Sequence, residues 1–236
     1  MKGKAPQRLI KSLKNDTDEG VLAIAFVLQQ ALPTPKLTSG IQFYKRKLWT
    51  YNFCIHNIKT GAFKMYLWDE TTVRRGSCEI TSCVVHYLSN VEDCIKTVTM
   101  FSDNCFGQNK NLVLANLPLI HQDKFDEIRH VIMTPGHSYL PSDRDFGHIE
   151  KEVRHANVYS KNHYEHFITK CRQKKNIHGS SSHARFCFGL RPSSKIYKKI
   201  QLQGAKFKAG AIFEFTKNTN RGSIFTKVTI LASNLQ

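Results

Sequence analysis

A continuous apolar run near the start of the chain, GVLAIAFVLQQ at residues 20–30, constrains the fold more than any other feature. It does not alternate between apolar and polar residues, as a strand with one solvated face does. It is also shorter than the roughly 20 apolar residues that a membrane-spanning helix needs. We therefore expect a strand buried on both faces, at the centre of a sheet that carries helices on each side.

The segments after this run predict an α/β fold. Two stretches rich in aromatic and β-branched residues, 43–57 and 62–70, flank the short turn Ile-Lys-Thr-Gly and predict a hairpin. Within residues 74–91 the apolar residues recur every three or four positions, as on one face of a helix. The chain is then predicted to continue as strand 94–105, helix 111–122, strand 127–138 and helices 143–156 and 157–173. This order indicates a mixed five-stranded sheet flanked by helices.

Composition divides the chain into four predicted regions. Residues 1–19 are polar and basic and are predicted to be a lead-in to the core at 20–173. Residues 174–194 are basic and rich in Gly and Ser, as linkers are. Residues 195–236 show three or four short strand patterns and predict a small basic β appendage.

Charge is distributed unevenly along the chain. The formal net charge is +17, and residues 151–236 carry 17 Lys and Arg against 3 Asp and Glu, whereas residues 1–150 carry 18 against 15. A basic cluster gains free energy from counterion release on a phosphate backbone. The pattern favours a nucleic acid as the partner of the C-terminal third. A basic protein without a specific partner is the alternative.

Other sequence features bear on cellular location. The N-terminus lacks the apolar core of a signal peptide, and no run is long enough to span a membrane. The seven cysteines are odd in number and form no Cys-x-x-Cys pair, which is typical of reduced thiols. Cys171, His178, His183 and Cys187 are zinc-competent, but their spacing matches no common finger. We expect a nuclear or cytoplasmic protein that is not secreted and does not bind a membrane.

Acidic residues follow two of the predicted strands. Asp103 ends the strand 94–105, and ligands of open α/β sheets bind at such strand ends. Lys110 lies where the following helix opens and is a candidate phosphate contact. The alternative for Asp103 is an ordinary turn with an Asp or Asn cap.

A second acidic group follows the strand 127–138. Asp143, Asp145 and Glu150 lie in the next predicted helix, and Glu79 lies in the first turn of the helix 74–91. Carboxylates gathered beside Asp103 would form an oxygen-rich site for Mg²⁺ or Mn²⁺. Acids in a first helical turn also compensate the helix dipole, which is the alternative. Asp145 and Glu150 are five residues apart, so at most one of them is expected to face Asp103.

Five ordered phrases carry a resemblance to a known family. They are VLAIAFVLQQALPTPKL, FYKRKLWTYNFCIHN, RRGSCEITSC, FSDNCFGQNKN and PGHSYLPSDRDFGHIEK. Together they resemble an uncharacterised, transposon-derived domain family of insect and other animal genomes, over roughly residues 20–175. The resemblance implies a ribonuclease H-like core of the DDE-transposase type and a metal site for DNA strand transfer.

The sequence departs from that family at one position. Family members carry an Asp on the first strand, two residues before a Gln-Gln pair, and Val27 occupies the matching position. The acids that remain cannot bridge two cations from one side, so we expect loss of most metal affinity and catalysis.

We therefore expect a transposase-derived nucleic-acid-binding protein, with DNA as partner, that resembles a polynucleotidyl transferase but is inactive. If the site is active, Asp103 is the central metal ligand, Asp145 is the second, and Asp143, Glu150 or Glu79 completes the shell around Mg²⁺ or Mn²⁺. The predicted phosphate contacts are Lys110, Arg144, Lys195, Lys198, Lys199, Lys206 and Lys208. The alternatives are an active nuclease or transposase and a protein-interaction module without DNA binding.

Overall fold

The computed structural model describes residues 4–37, 46–105, 124–133, 139–174, 212–216 and 229–231. The helices in these ranges are α1 (Lys4–Lys14), α2 (Ser77–Ser89), α3 (Pro141–Val153) and α4 (Lys161–Lys174). The strands are β1 (Val21–Leu28), β2 (Leu32–Thr34), β3 (Leu48–Asn57), β4 (Phe63–Asp69), β5 (Thr97–Ser102), β6 (Glu127–Ile132), β7 (Ile212–Thr216) and β8 (Thr229–Leu231). The helix predicted at 111–122 lies outside the described residues.

The strands form one mixed sheet with β1 near its centre. β1 pairs antiparallel with β3 and parallel with β5, and β5 pairs parallel with β6. β4 lies beyond β3 in antiparallel register, which gives the order β4-β3-β1-β5-β6. The short strand β2 pairs with the start of β3. The fold is therefore α/β, with the five predicted core strands and three shorter strands in the described sheet.

The burial of β1 on both faces is confirmed. Six consecutive residues of this strand are buried, and only its two terminal residues are partly accessible. Ala23, Ala25 and Val27 face one side, where they pack with α3 and α4, whereas Leu22, Ile24 and Phe26 face the side covered by α2. Burying both faces requires apolar residues at every position, which explains the unbroken apolar run.

The predicted hairpin is formed by β3 and β4, which pair from Thr50 with Asp69 to His56 with Phe63. Its turn spans residues 58–61, and the backbone N–H of Gly61 donates to Asn57 at 2.9 Å. Gly61 has φ of 72°, a left-handed conformation that costs little only for residues without a Cβ atom. The glycine therefore closes the turn between the two strands.

Helix α1 lies in the region where composition predicts a polar lead-in. Its apolar residues Leu9, Ile10 and Leu13 recur at helical spacing and contact the same core as α3 and α4. Ile10 is 8% exposed. This segment is an amphipathic helix that packs against the sheet, because its few apolar residues share one face.

The C-terminal strands in the described ranges extend the main sheet. β7 pairs antiparallel with β6, from Glu127 with Thr216 to Val131 with Ile212, and β8 pairs with β7. The predicted linker at 174–194 begins at the last residue of α4, and the rest of it lies outside the described residues, as does most of the predicted appendage. Nowhere in the described ranges is a helix long and apolar enough to cross a membrane.

Candidate functional site

The candidate site lies at the edge of the sheet where the parallel strands β1, β5 and β6 end. Asp103 directly follows β5. Phe101 packs in the core on the α3 side, and alternate residues of a strand share a face, so Asp103 continues that face. The Asp103 Oδ1 atom accepts the Cys105 N–H at 3.4 Å. The strand thus presents this carboxylate at its carboxyl end, where the sequence predicts it.

Asp143 lies beside Asp103. It occupies the first turn of α3, and its Oδ2 accepts the backbone N–H of Leu140 at 2.7 Å. Burial raises the pKa of Asp143, the Leu140 N–H lowers it, and the negative charge of Asp103 raises it again, with a net increase. The two carboxylates are therefore close enough for their charges to repel each other.

Val27 occupies the neighbouring strand on the same face. The parallel register ends with the pair Phe26 and Ser102, and Val27 and Asp103 are the residues that follow this pair along the two chains. Val27 also pairs with Cys54 on β3. Its side chain is 6% exposed and belongs to the core cluster that contains Phe146 of α3. This end of the central strand is therefore apolar and buried.

Asp145 is held by a histidine within the core. Its Oδ2 lies 2.7 Å from His56 Nδ1, and both side chains are at most 5% exposed. His56 pairs with Ala25 of β1, two residues before Val27, so this pair lies further inside the sheet than Asp103 does. A buried carboxylate requires such a partner, because an unpaired charge is costly to bury. The structure thus gives Asp145 a hydrogen-bonding partner in the core.

Glu150 lies two turns along α3 from Asp143 and makes a different contact. Its Oε1 accepts the Gln29 Nε2 hydrogen at 2.9 Å, and Gln29 Oε1 accepts from Asn52 Nδ2 at 2.9 Å. Gln29 and Asn52 are buried, whereas Glu150 lies at the surface. Glu150 therefore ends a polar network that joins α3 to β1 and β3.

Glu79 lies on the other side of the sheet. It is in the first turn of α2, which packs through Ile80, Cys83 and Val84 against the face opposite α3. Its Oε2 would be 2.7 Å from a Cβ atom at Gly76, so the carboxylate folds back over the start of its own helix. An acid there stabilises the helix dipole, as the alternative reading of the sequence holds.

Asp103 and Asp143 are the predicted acidic residues whose charges interact in the structure. Asp103 and Asp143 supply two carboxylates, and the buried Asn104 Oδ1 nearby accepts no hydrogen bond from the described residues. Across the described ranges, His, Cys, Asp and Glu side chains form no group of three that could hold a metal ion.

A comparison of the sequence with protein-family models finds a matching family. The family model of a domain of unknown function, DUF7869, matches residues 53–229, about three quarters of the chain. The chain belongs to the DUF7869 family. No curated protein matches it. The matched part begins within β3, so it includes Asp103 and Asp143 but not β1 or Val27.

A small cleft opens beside Glu150 in this DUF7869 protein. Its volume is about 270 Å³, and β2, α3 and α4 contribute to its walls. Lys36 Nζ donates to the Val153 carbonyl at 2.6 Å, and the Tyr164 hydroxyl donates to the Pro33 carbonyl at 2.7 Å. Its polar groups are thus engaged in joining α3 and α4 to β2.

Among the predicted phosphate contacts, Arg144 is described and is exposed on the first turn of α3. It lies next to Asp143 in the chain. The other predicted contacts, Lys110, Lys195, Lys198, Lys199, Lys206 and Lys208, lie outside the described residues, although the DUF7869 match includes all of them.

Sequence reasoning missed the pairing of Asp145 with His56. The spacing in the sequence indicates this pairing, because Ser142, Asp145, Phe146 and Ile149 share one face of the helix, and the structure shows that this face is buried. An acid among apolar residues on a buried face needs a partner from the facing sheet. Alternation along β3 places His56 on the face of Cys54, which packs in the core on the α3 side.

Proposed function

We propose that this DUF7869 chain is a transposase-derived nucleic-acid-binding protein with a ribonuclease H-like core and little or no catalytic activity. One observation carries the proposal: Asp103 and Asp143 interact at the carboxyl edge of the sheet, and the central strand carries the buried Val27 just after the last residue that pairs with β5. Two carboxylates without the third are a weak ligand set for two metal ions.

The order of the strands supports a ribonuclease H-like core. The resemblance implies such a core, and the sequence predicts three strands followed by alternating helices and strands in a mixed sheet. The described order β4-β3-β1-β5-β6 has that form, with β1, β5 and β6 parallel. α2 covers one face, and α3 and α4 cover the other.

The charge of the chain supports a nucleic acid as partner. The excess of Lys and Arg is concentrated in residues 151–236, which contain only three acidic residues. Such a segment gains counterion-release free energy on DNA or RNA, and this gain falls as salt rises. The exposed Arg144 adds a cation that follows Asp143 in the chain.

Restoring the missing carboxylate tests the proposed site. We expect Val27→Asp to raise Mn²⁺ affinity about tenfold or more, because the new carboxylate would lie next to Asp103. The measurement is a calorimetric titration with Mn²⁺, supported by the rise in melting temperature that Mn²⁺ produces. Val27→Asn is the matched control, because it adds a polar group of the same shape without charge. Equal Mn²⁺ binding by both variants would contradict the proposed arrangement.

Binding and cleavage assays on the unaltered chain test the function itself. We expect labelled DNA to bind with an affinity that falls steeply with salt, and we expect no cleavage with Mg²⁺ or Mn²⁺. Turnover of DNA would show an active nuclease or transposase instead. Absence of binding to DNA and RNA at low salt would contradict the proposal and favour a protein-interaction module.

A further inference from the structure

We propose that the exposed Tyr139 ring and the basic face of α1 form a binding surface for single-stranded nucleic acid beside the acidic edge. This inference rests on the proposed nucleic-acid binding and names where an unpaired strand would contact the core. It adds a surface in the N-terminal half of the chain, whereas composition alone assigns most of the binding to the C-terminal third.

Tyr139 is the most exposed large aromatic residue in the described part of the chain. It is 67% exposed and lies next to Leu140, the residue that precedes the first turn of α3. Leu140 donates its N–H to Asp143, so Tyr139 directly precedes a residue that contacts the acidic pair. An exposed aromatic ring at a site edge gains free energy when an unpaired base stacks on it.

Helix α1 contacts the backbone of Tyr139 and carries exposed cations. The Gln7 side chain donates from Nε2 to the Tyr139 carbonyl at 2.9 Å, which fixes the helix beside it. The helix contains no Asp or Glu, and Arg8, Lys11 and Lys14 are exposed. Successive steps of three residues keep these cations on one side, opposite Leu9 and Leu13 in the core. The exposed side of the helix is therefore positively charged.

Charge complementarity and base stacking select single-stranded nucleic acid as the partner. The cations of α1 attract a phosphate backbone, and the neighbouring Tyr139 ring needs a base whose face is accessible. Bases inside a duplex are stacked on each other and do not offer that face. The carboxylates of Asp103 and Asp143 repel phosphates, which favours a path over the cations of α1.

The aromatic part of the inference is tested with the full chain and a labelled oligothymidylate of roughly 16 nucleotides, the upper range of single-strand site sizes. We expect Tyr139→Ala to weaken binding about tenfold, because one stacked base is lost. Tyr139→Phe keeps the ring and should bind like the unaltered chain. Tyr159→Ala is the matched control, because Tyr159 is 60% exposed but lies two residues before α4. Tyr139→Ala should weaken binding of a duplex of the same length much less.

The cationic part is tested through the salt dependence of binding. The double variant Arg8→Gln/Lys11→Gln should lower the slope of log K against log salt by about 1.4, since each single-strand phosphate contributes about 0.7. Lys96→Gln/Lys151→Gln removes two exposed charges elsewhere, with Lys96 at the opposite edge of the sheet, and should change the slope much less.

The outcomes separate this inference from the proposed function. Suppose that the unaltered chain binds DNA, that Tyr139→Ala and Tyr159→Ala have the same affinity for the oligothymidylate, and that both double variants have the same salt slope. The surface proposed here is then wrong, while nucleic-acid binding stands. Equal weakening on duplex and single strand would also overturn it, because a duplex offers no base face. If the unaltered chain binds neither probe, both proposals fail.

Discussion

His130 shows how one buried side chain makes stability depend on pH. It lies on β6, is 5% exposed, and its Nε2 lies 2.9 Å from the Ser102 hydroxyl. Burial lowers the pKa of His130 to about 4. The unfolded chain has an ordinary pKa near 6.5, so between these values the unfolded state takes up a proton that the folded state does not. The stabilisation that depends on the neutral ring is therefore fully present above about pH 6.5, and it is lost as the pH falls towards 4.

We predict that the free energy of unfolding falls by as much as about 3 kcal/mol from this residue between about pH 7 and pH 4. His130→Gln keeps a hydrogen-bonding group but does not titrate, so its loss of stability over this range should be smaller. Urea unfolding at a series of pH values measures the difference. His155→Gln is the control, because His155 is exposed. If the free energy of unfolding of His130→Gln fell with pH as much as that of the control, His130 would not be the source of the pH dependence.

At the residue scale, the sequence predicts positions along a strand or helix better than it predicts partners. Strand ends and a helix start place Asp103 and Asp143 near one edge, and the structure brings them together. The partners of Asp145 and Glu150 lie on β3 and just after β1, 89 and 121 residues away in sequence. Such pairings depend on how α3 lies across the sheet, which local patterns do not determine.

At the scale of elements, the hydrophobic period predicts the core strands and the helices that cover them. β1, the hairpin of β3 and β4, and helices α2 and α3 all lie within their predicted segments or within two residues of them. α1 was not predicted, because seven of its eleven residues are polar, basic or proline. Its apolar residues Leu9, Ile10 and Leu13 nevertheless follow helical spacing, and packing on the core stabilises a helix too short to be stable alone.

The packing of α1 gives a prediction for stability. Ile10→Ala should reduce the free energy of unfolding by about 2–3 kcal/mol, because it removes a side chain that is 8% exposed and leaves a cavity. Chemical denaturation measured by circular dichroism tests this value. Ser12→Ala is the control on the exposed side of the same helix and should change stability by less than about 0.5 kcal/mol. If both substitutions had equally small effects, α1 would not be part of the folded core.

At the scale of the whole molecule, the C-terminal strands determine how the basic third can be tested. β7 and β8 continue the sheet beyond β6, so removing residues 186–236 would leave the edge of β6 unpaired. Exposed strand edges promote aggregation, which would obscure any change in nucleic-acid binding. Neutralising charges in the intact chain avoids this problem.

We therefore predict the effect of replacing Lys195, Lys198, Lys199, Lys206 and Lys208 together by Gln in the full chain. If all five contact phosphates of duplex DNA, the slope of log K against log salt should fall by about 4.5, since each neutralised phosphate contributes about 0.9. The matched control replaces five exposed cations of the core, Arg46, Arg74, Lys96, Lys151 and Arg154, by Gln. Both variants lose the same net charge, so a general field effect would change both slopes equally. A larger fall for the first variant would place the phosphate contacts in the C-terminal third, and equal falls would show that these lysines act only through net charge.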